Sequence, residues 1–108
     1  MTTDRELLEL AAKAAGLRVR TWEGHSGTKC AIDDDRHGLM WMPLTDDGDA
    51  LRLAVKTGVP FVVRSRCVTT MGGLMEDFDP AVSGDDLRAT RRAIVKAAAS
   101  IGEKTCRI

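Results

Sequence analysis

The sequence is poor in aromatic side chains, with two Trp and two Phe among 108 residues, and neither sign of charge is in excess: sixteen Lys and Arg cancel sixteen Asp and Glu. A balanced chain is not a generic polyanion binder, which needs surplus Lys and Arg along phosphates, nor is it an acidic mimic of nucleic acid. A local patch of either sign stays open. Cysteine is scarce as well. Cys30, Cys67 and Cys106 are odd in number, far apart and without C-x-x-C spacing, so neither a disulfide framework nor a zinc ribbon is indicated and three reduced thiols are expected. No apolar run approaches the roughly 18 residues of a membrane span, and the start Met1-Thr2-Thr3-Asp4-Arg5-Glu6 is polar, so the expected location is a cytoplasm. Phosphate-cradling glycine loops are missing, as is a Ser or Cys on a strand–turn–helix elbow.

What is present is the balance of an ordinary folded protein, with 44% apolar and 30% charged residues. One domain spanning residues 1–108 is expected, able to bury roughly 60–70% of its unfolded surface without staples. Thr3 and Glu6 fit a capping box, and Leu7, Leu8, Leu10, Ala11, Ala14 and Ala15 draw an apolar stripe up to Gly16. Leu17 to Glu23 alternates as a half-buried strand, with Arg18, Arg20 and Trp22 on the polar face. Turns at Gly24–Gly27 and Asp33–Gly38 separate two further strands, Thr28–Ile32 and Leu39–Met42. Pro43 keeps Met42 extended, and Thr45, Asp46, Asp47 and Asp49 supply oxygens for the start of a helix that reads Ala50–Thr57 and stops at Gly58. β character resumes over Phe61–Val68, with Arg64 and Arg66 on one face, and Gly72-Gly73 can turn the chain into Leu74–Phe78. A last helix follows Ser83-Gly84-Asp85-Asp86, burying Leu87, Ile94, Val95, Ala98 and Ile101 and ending near Gly102, beyond which 103–108 is expected to fray. The order α-β-β-β-α-β-β-α, with short turns between strands, implies an α+β domain: a mainly antiparallel sheet packed with helices, an α/β sandwich.

Several residue groups invite chemistry. Asp46, Asp47 and Asp49 carry the oxygens a hard cation wants, but acidic groups at a helix start are explained more simply by capping and the dipole. Asp33-x-Asp35-x-His37-Gly38 lacks the bidentate Glu of a calcium loop, its twelfth position being Leu44. His25, Cys30 and His37, with Cys67, match no compact zinc signature, although a hydrolase pairing Cys30 or Cys67 with a histidine is a third reading. No metal or cofactor is therefore expected. Arg88, Arg91, Arg92 and Lys96 form a basic stripe on the last helix, which is the footprint of a nucleic-acid-binding module or simply a solvated face. Arg18, Arg20 and Trp22 on one strand, with Arg64 and Arg66 on another, would form a basic patch around an aromatic if the strands are neighbours. Arg and Trp are the side chains that most often anchor an interface.

The stretch Trp41-x-Pro43-Leu44-Thr45-Asp46-Asp47-Gly48-Asp49-Ala50-Leu51-Arg52-Leu53-Ala54-Val55-Lys56, followed about thirty residues on by Ala89-Thr90-Arg91-Arg92-Ala93-Ile94-Val95-Lys96-Ala97-Ala98-Ala99, resembles small phage and prophage proteins of the phage ABA sandwich domain. The relatives are expected to carry Asn where this chain has Met42. The resemblance implies a compact sandwich encoded by a phage or prophage and brings no catalytic residues. The expectation is an accessory protein in the host bacterial cytoplasm that binds a host or phage protein without catalysis. Its sharpest form is a host-directed inhibitor of anti-CRISPR type. Nucleic acid is the alternative partner, and the oligomeric state is left open.

Overall fold

A computed structural model describes residues 3–33, 39–70 and 74–105. Helix α1 spans Asp4–Ala14 and starts as the capping box requires: Thr3 is extended, and its hydroxyl accepts the Glu6 N–H at 3.2 Å. Leu7, Leu8, Ala11, Ala12 and Ala15 are its buried side. Strands β1 (Val19–Gly24) and β2 (Gly27–Ile32) pair antiparallel, with Thr21 opposite Cys30. Their inner face turns toward α1, where the Thr21 hydroxyl donates to Glu9 at 2.9 Å.

The α+β class holds, and the strands are shared out differently from the expectation in two places. Leu39–Met42 forms one bridge, Ala31 to Met40, in place of a third strand. The Trp41 N–H still reaches the Cys30 carbonyl at 2.9 Å. One residue later the Met42 N–H donates instead to Asp49 Oδ2 at 2.9 Å, and Pro43 has no N–H to give, so the ladder cannot continue. The second departure lies in Phe61–Val68, which reverses direction: β3 (Phe61–Val63) and β4 (Cys67–Thr70) are joined through the turn Arg64-Ser65-Arg66. Three successive polar residues leave nothing there to bury, and the Arg64 N–H closes the turn on the Cys67 carbonyl at 2.8 Å. β5 (Met75–Asp77) completes an antiparallel sheet of order β3-β4-β5, while the Gly72-Gly73 turn lies outside the described residues. Two small sheets thus replace the one expected.

Helix α2 (Asp47–Thr57) is capped by Asp46, whose Oδ2 accepts the Asp49 N–H at 2.8 Å. It ends at Gly58 with φ 71°, a left-handed cap that lets the Val59 N–H reach the Ala54 carbonyl at 3.0 Å. Helix α3 (Asp85–Thr105) runs past Gly102, where the sequence predicts its end. Residues 103–105 are therefore helical, and 106–108 fall outside the described residues. Gly102 is a contact residue rather than a stop: a Cβ there would overlap the Leu10 carbonyl of α1. Arg92 meets Asp4 and Gly102 meets Leu10, so α1 and α3 run in the same direction, backbone close to backbone.

Leu87, predicted to be buried, is 51% exposed. The buried side of α3 is a broad field of small residues, Ala89, Ala93, Val95, Ala97, Ala98 and Ala99 with Ile94, because α1, α2 and the second sheet all pack on this helix. The main core joins α1, α2 and the later turns of α3 around Cys30 and Trp41. A smaller core sets Val68 of β4, with Phe61 and Phe78, against Ala89 and Ala93. Among the described residues, no helix is long and apolar enough to cross a membrane.

Candidate functional site

Cross-strand partners lie on the same side of a sheet, so the register assigns the outward face of β1–β2. Trp22 lies opposite Lys29, Arg20 opposite Ala31, and Ala31 opposite Met40. Trp22 is 41% exposed; Arg20 and, just before β1, Arg18 are exposed as well. Among the described residues the guanidinium groups of Arg18 and Arg20 have no carboxylate or hydrogen-bond partner, and Lys29 Nζ donates only to the Ser26 hydroxyl at 2.8 Å. The face therefore presents an aromatic beside cations whose charge no neighbour among the described residues neutralises. Lys29 was not legible as a member, since only the strand register brings it beside Trp22.

Arg64 and Arg66 belong elsewhere. They are exposed on the β3–β4 turn, in a sheet that shares no strand with β1. The structure brings Arg18, Arg20 and Trp22 together and does not place the other pair on the same sheet face.

The basic stripe of α3 is engaged within the fold. Arg88 Nε donates to Asp85 Oδ1 at 2.6 Å. That bond, with one from the Asp79 N–H, holds the Asp85 carboxyl below its usual range, and the Arg88 pKa is raised in turn. Arg91 bridges to the start of α2, donating to Asp47 at 2.6 Å and to the Leu44 carbonyl at 2.9 Å. Arg92 pairs with Asp4 at 3.1 Å and lies 3.8 Å from Glu76, whose Oε1 also meets Lys96. Each of the four cations has a carboxylate partner, and those of Arg91 and Arg92 come from 44 and 88 residues away, beyond the reach of any local pattern.

The thiols and histidines form no reactive pair among the described residues. Cys30 is fully buried; burial, then the nearby Glu9 charge, pushes its pKa up to about 11, so it stays a neutral thiol. Cys67 is half-buried and His25 sits exposed in the β1–β2 turn, while His37 and Cys106 lie outside the described residues. The segment 34–38, with Asp35 of the Asp33–Gly38 turn, lies outside them too. No group of three or more His, Cys, Asp and Glu side chains among the described residues converges on a point suited to a metal. Of the four residues expected to cap α2 only Asp46 does so; Asp49 instead links the Met42 N–H to Arg52 at 2.9 Å each, Asp47 accepts from Arg91, and the Thr45 hydroxyl turns to the Met42 carbonyl.

An apolar groove of about 770 Å³ was not anticipated. Leu51 and Val55, one turn apart on the outer side of α2, form one wall, and Leu39 and Met40 form another, with Arg52 and Lys56 at the rim. Leu51 is 57% and Val55 74% exposed. Their signal was in the sequence: α2 is apolar at Leu51 and Val55 as well as on its buried side, Ala50, Leu53 and Ala54.

No family model matches the chain, and neither the curated proteins nor the solved structures contain a match to it.

Proposed function

We propose that this chain is a phage or prophage accessory protein that acts by binding a macromolecular partner, without catalysis, and that the partner is a protein presenting carboxylates to the outward face of β1–β2. The observation that carries the reading is the exposed Trp22 flanked by the guanidinium groups of Arg18 and Arg20, which have no partner among the described residues. A rigid aromatic contributes contact area at small entropic cost, and the arginines select an acidic surface and speed encounter with it. Nucleic acid is the weaker choice of partner because the four α3 cations that would grip phosphates already hold carboxylates. Phage origin, action in a bacterial cytoplasm and the narrower role of a host-directed inhibitor of anti-CRISPR type rest on the resemblance of the 41–56 and 89–99 stretches.

The test is capture from nuclease-treated bacterial lysate with the tagged chain and its Trp22→Ala and Arg20→Glu variants, both checked for folding. A protein retained by the wild type and lost with both variants supports the reading. Capture abolished by nuclease, or indifferent to both substitutions, overturns it.

A further inference from the structure

The outward face of β1–β2 ends at a strand edge, and the register fixes which backbone groups line it. Antiparallel partners alternate between pairs that bond each other and pairs whose N–H and C=O groups point away from the ribbon. The Asp33 N–H donates to the Arg18 carbonyl at 2.7 Å, which puts Arg18, Arg20 and Trp22 in the bonded class and Val19, Thr21 and Glu23 in the outward one. The far edge has the same parity: the Ile32 N–H and the Cys30 carbonyl, across from Val19 and Thr21, turn away from β1 to the Leu39 carbonyl and the Trp41 N–H. The β2 side is thus closed by the chain at 39–41. On the β1 side, among the described residues, nothing pairs with the N–H and C=O groups of Val19, Thr21 and Glu23. Edge strands are ordinarily guarded by a proline, a bulge or a covering segment. β1 contains no proline and pairs without a bulge from Val19 to Gly24.

On the basis of the protein partner proposed for this face, we infer that the partner binds through an extended segment added to the free edge of β1 as a third strand, with acidic side chains at alternate positions on the Arg20–Trp22 side and uncharged ones between them. An added strand satisfies the row of outward N–H and C=O groups and reaches the face beside them at once, whereas a helix would leave the edge unpaired. Its side chains alternate between the two sides of the sheet. On one side they fall next to Arg18, Arg20 and Trp22, whose cations have no partner among the described residues. On the other they fall next to Val19, Thr21 and Glu23, where the Thr21 hydroxyl donates to Glu9 at 2.9 Å and Glu23 accepts from the Thr28 hydroxyl at 3.1 Å. Guanidinium groups on one side and carboxylates on the other select an alternating segment over a uniformly acidic one, because like charges set opposite each other across strands are destabilising.

The test is an NMR titration of the chain with two capped peptides of about eight residues and identical composition, one alternating Glu with Thr and one carrying its Glu in a block, read by chemical shift and by amide hydrogen exchange. The alternating peptide should bind about tenfold or more tightly than the block peptide, and should lose about tenfold or more in Trp22→Ala and in Arg20→Glu. Both substitutions are at exposed positions, so each variant should keep the wild-type circular dichroism. With the alternating peptide at about ten times its dissociation constant, exchange at the Val19, Thr21 and Glu23 amides should slow by about tenfold, while Arg20 and Trp22, already bonded to β2, change less. Equal affinity for the two peptides, unchanged exchange at Val19, Thr21 and Glu23, or no binding up to about 1 mM overturns the inference. A lysate protein captured through Trp22 and Arg20 while the alternating peptide fails overturns the added strand alone and leaves the binding face standing.

Discussion

At the scale of single residues the structure reverses one inference that local rules would make. In an exposed helix, Gly→Ala gains about 1 kcal/mol from helix propensity. At Gly102 the added methyl would meet the Leu10 carbonyl, with backbone on both sides and no flexible side chain to give way. We expect Gly102→Ala to destabilise the fold by about 3 kcal/mol or more in urea unfolding; a stabilised variant would show that α1 and α3 do not approach as described. Gly102 was legible as a special position and misread as a helix end, because a glycine demanded by close packing looks in sequence like a glycine demanded by a left-handed cap. Gly58 is the other case, read correctly from Pro60 beyond it. Cys30 gives a second test. Its folded pKa, about 11, lies above the ordinary thiol value of 9.0. Below pH 9 the thiol is protonated in both states; above it the unfolded chain ionises first, so stability should fall as pH rises from 9 toward 11. Cys30→Ala should lose that part of the pH dependence in denaturant titrations, and identical slopes for variant and wild type would contradict the burial described.

Secondary-structure elements with strong end signals were the most legible. The start of α1 follows from Thr3, because capping is settled within one turn of the chain; that of α2 was read three residues late, at Ala50 instead of Asp47, with Asp46 only one of four candidate caps. Asp46→Ala should cost roughly 0.5–2 kcal/mol as a lost cap. Asp49→Ala should cost about 1–3 kcal/mol, since it also leaves the partly buried Met42 N–H without an acceptor. Thermal melts with and without Ca²⁺ or Mg²⁺ check both: the wild type should gain nothing from either ion, and a metal-dependent rise abolished by these substitutions would favour cation binding over capping. Strands were less legible. Alternation in Phe61–Val68 fits one strand as well as two, and only pairing energy decides that the chain reverses at Arg64-Ser65-Arg66. The Met42 N–H likewise chose between a β ladder and Asp49, a contest that no periodicity records.

At the scale of the molecule, charge and topology decide what is available for binding. The helix stripe Arg88, Arg91, Arg92 and Lys96 looked like a phosphate-binding face because its partners, Asp47, Asp4 and Glu76, are distant in sequence. Arg18, Arg20 and Trp22 remain outward because β1 lies in its own two-stranded sheet with α1 on the inner side, and the separate second sheet carries Arg64 and Arg66 away from them. The measurement that bears most directly on the proposed role is the affinity of the captured, purified protein for the wild type and for Trp22→Ala, by calorimetry from low to physiological salt. We predict a loss of about 2 kcal/mol or more for Trp22→Ala with the fold intact, as for a central aromatic anchor. Unchanged affinity would contradict it. So would tight oligonucleotide binding in the same titrations whose steep salt dependence flattens on replacing Arg88, Arg91, Arg92 or Lys96 and ignores Trp22.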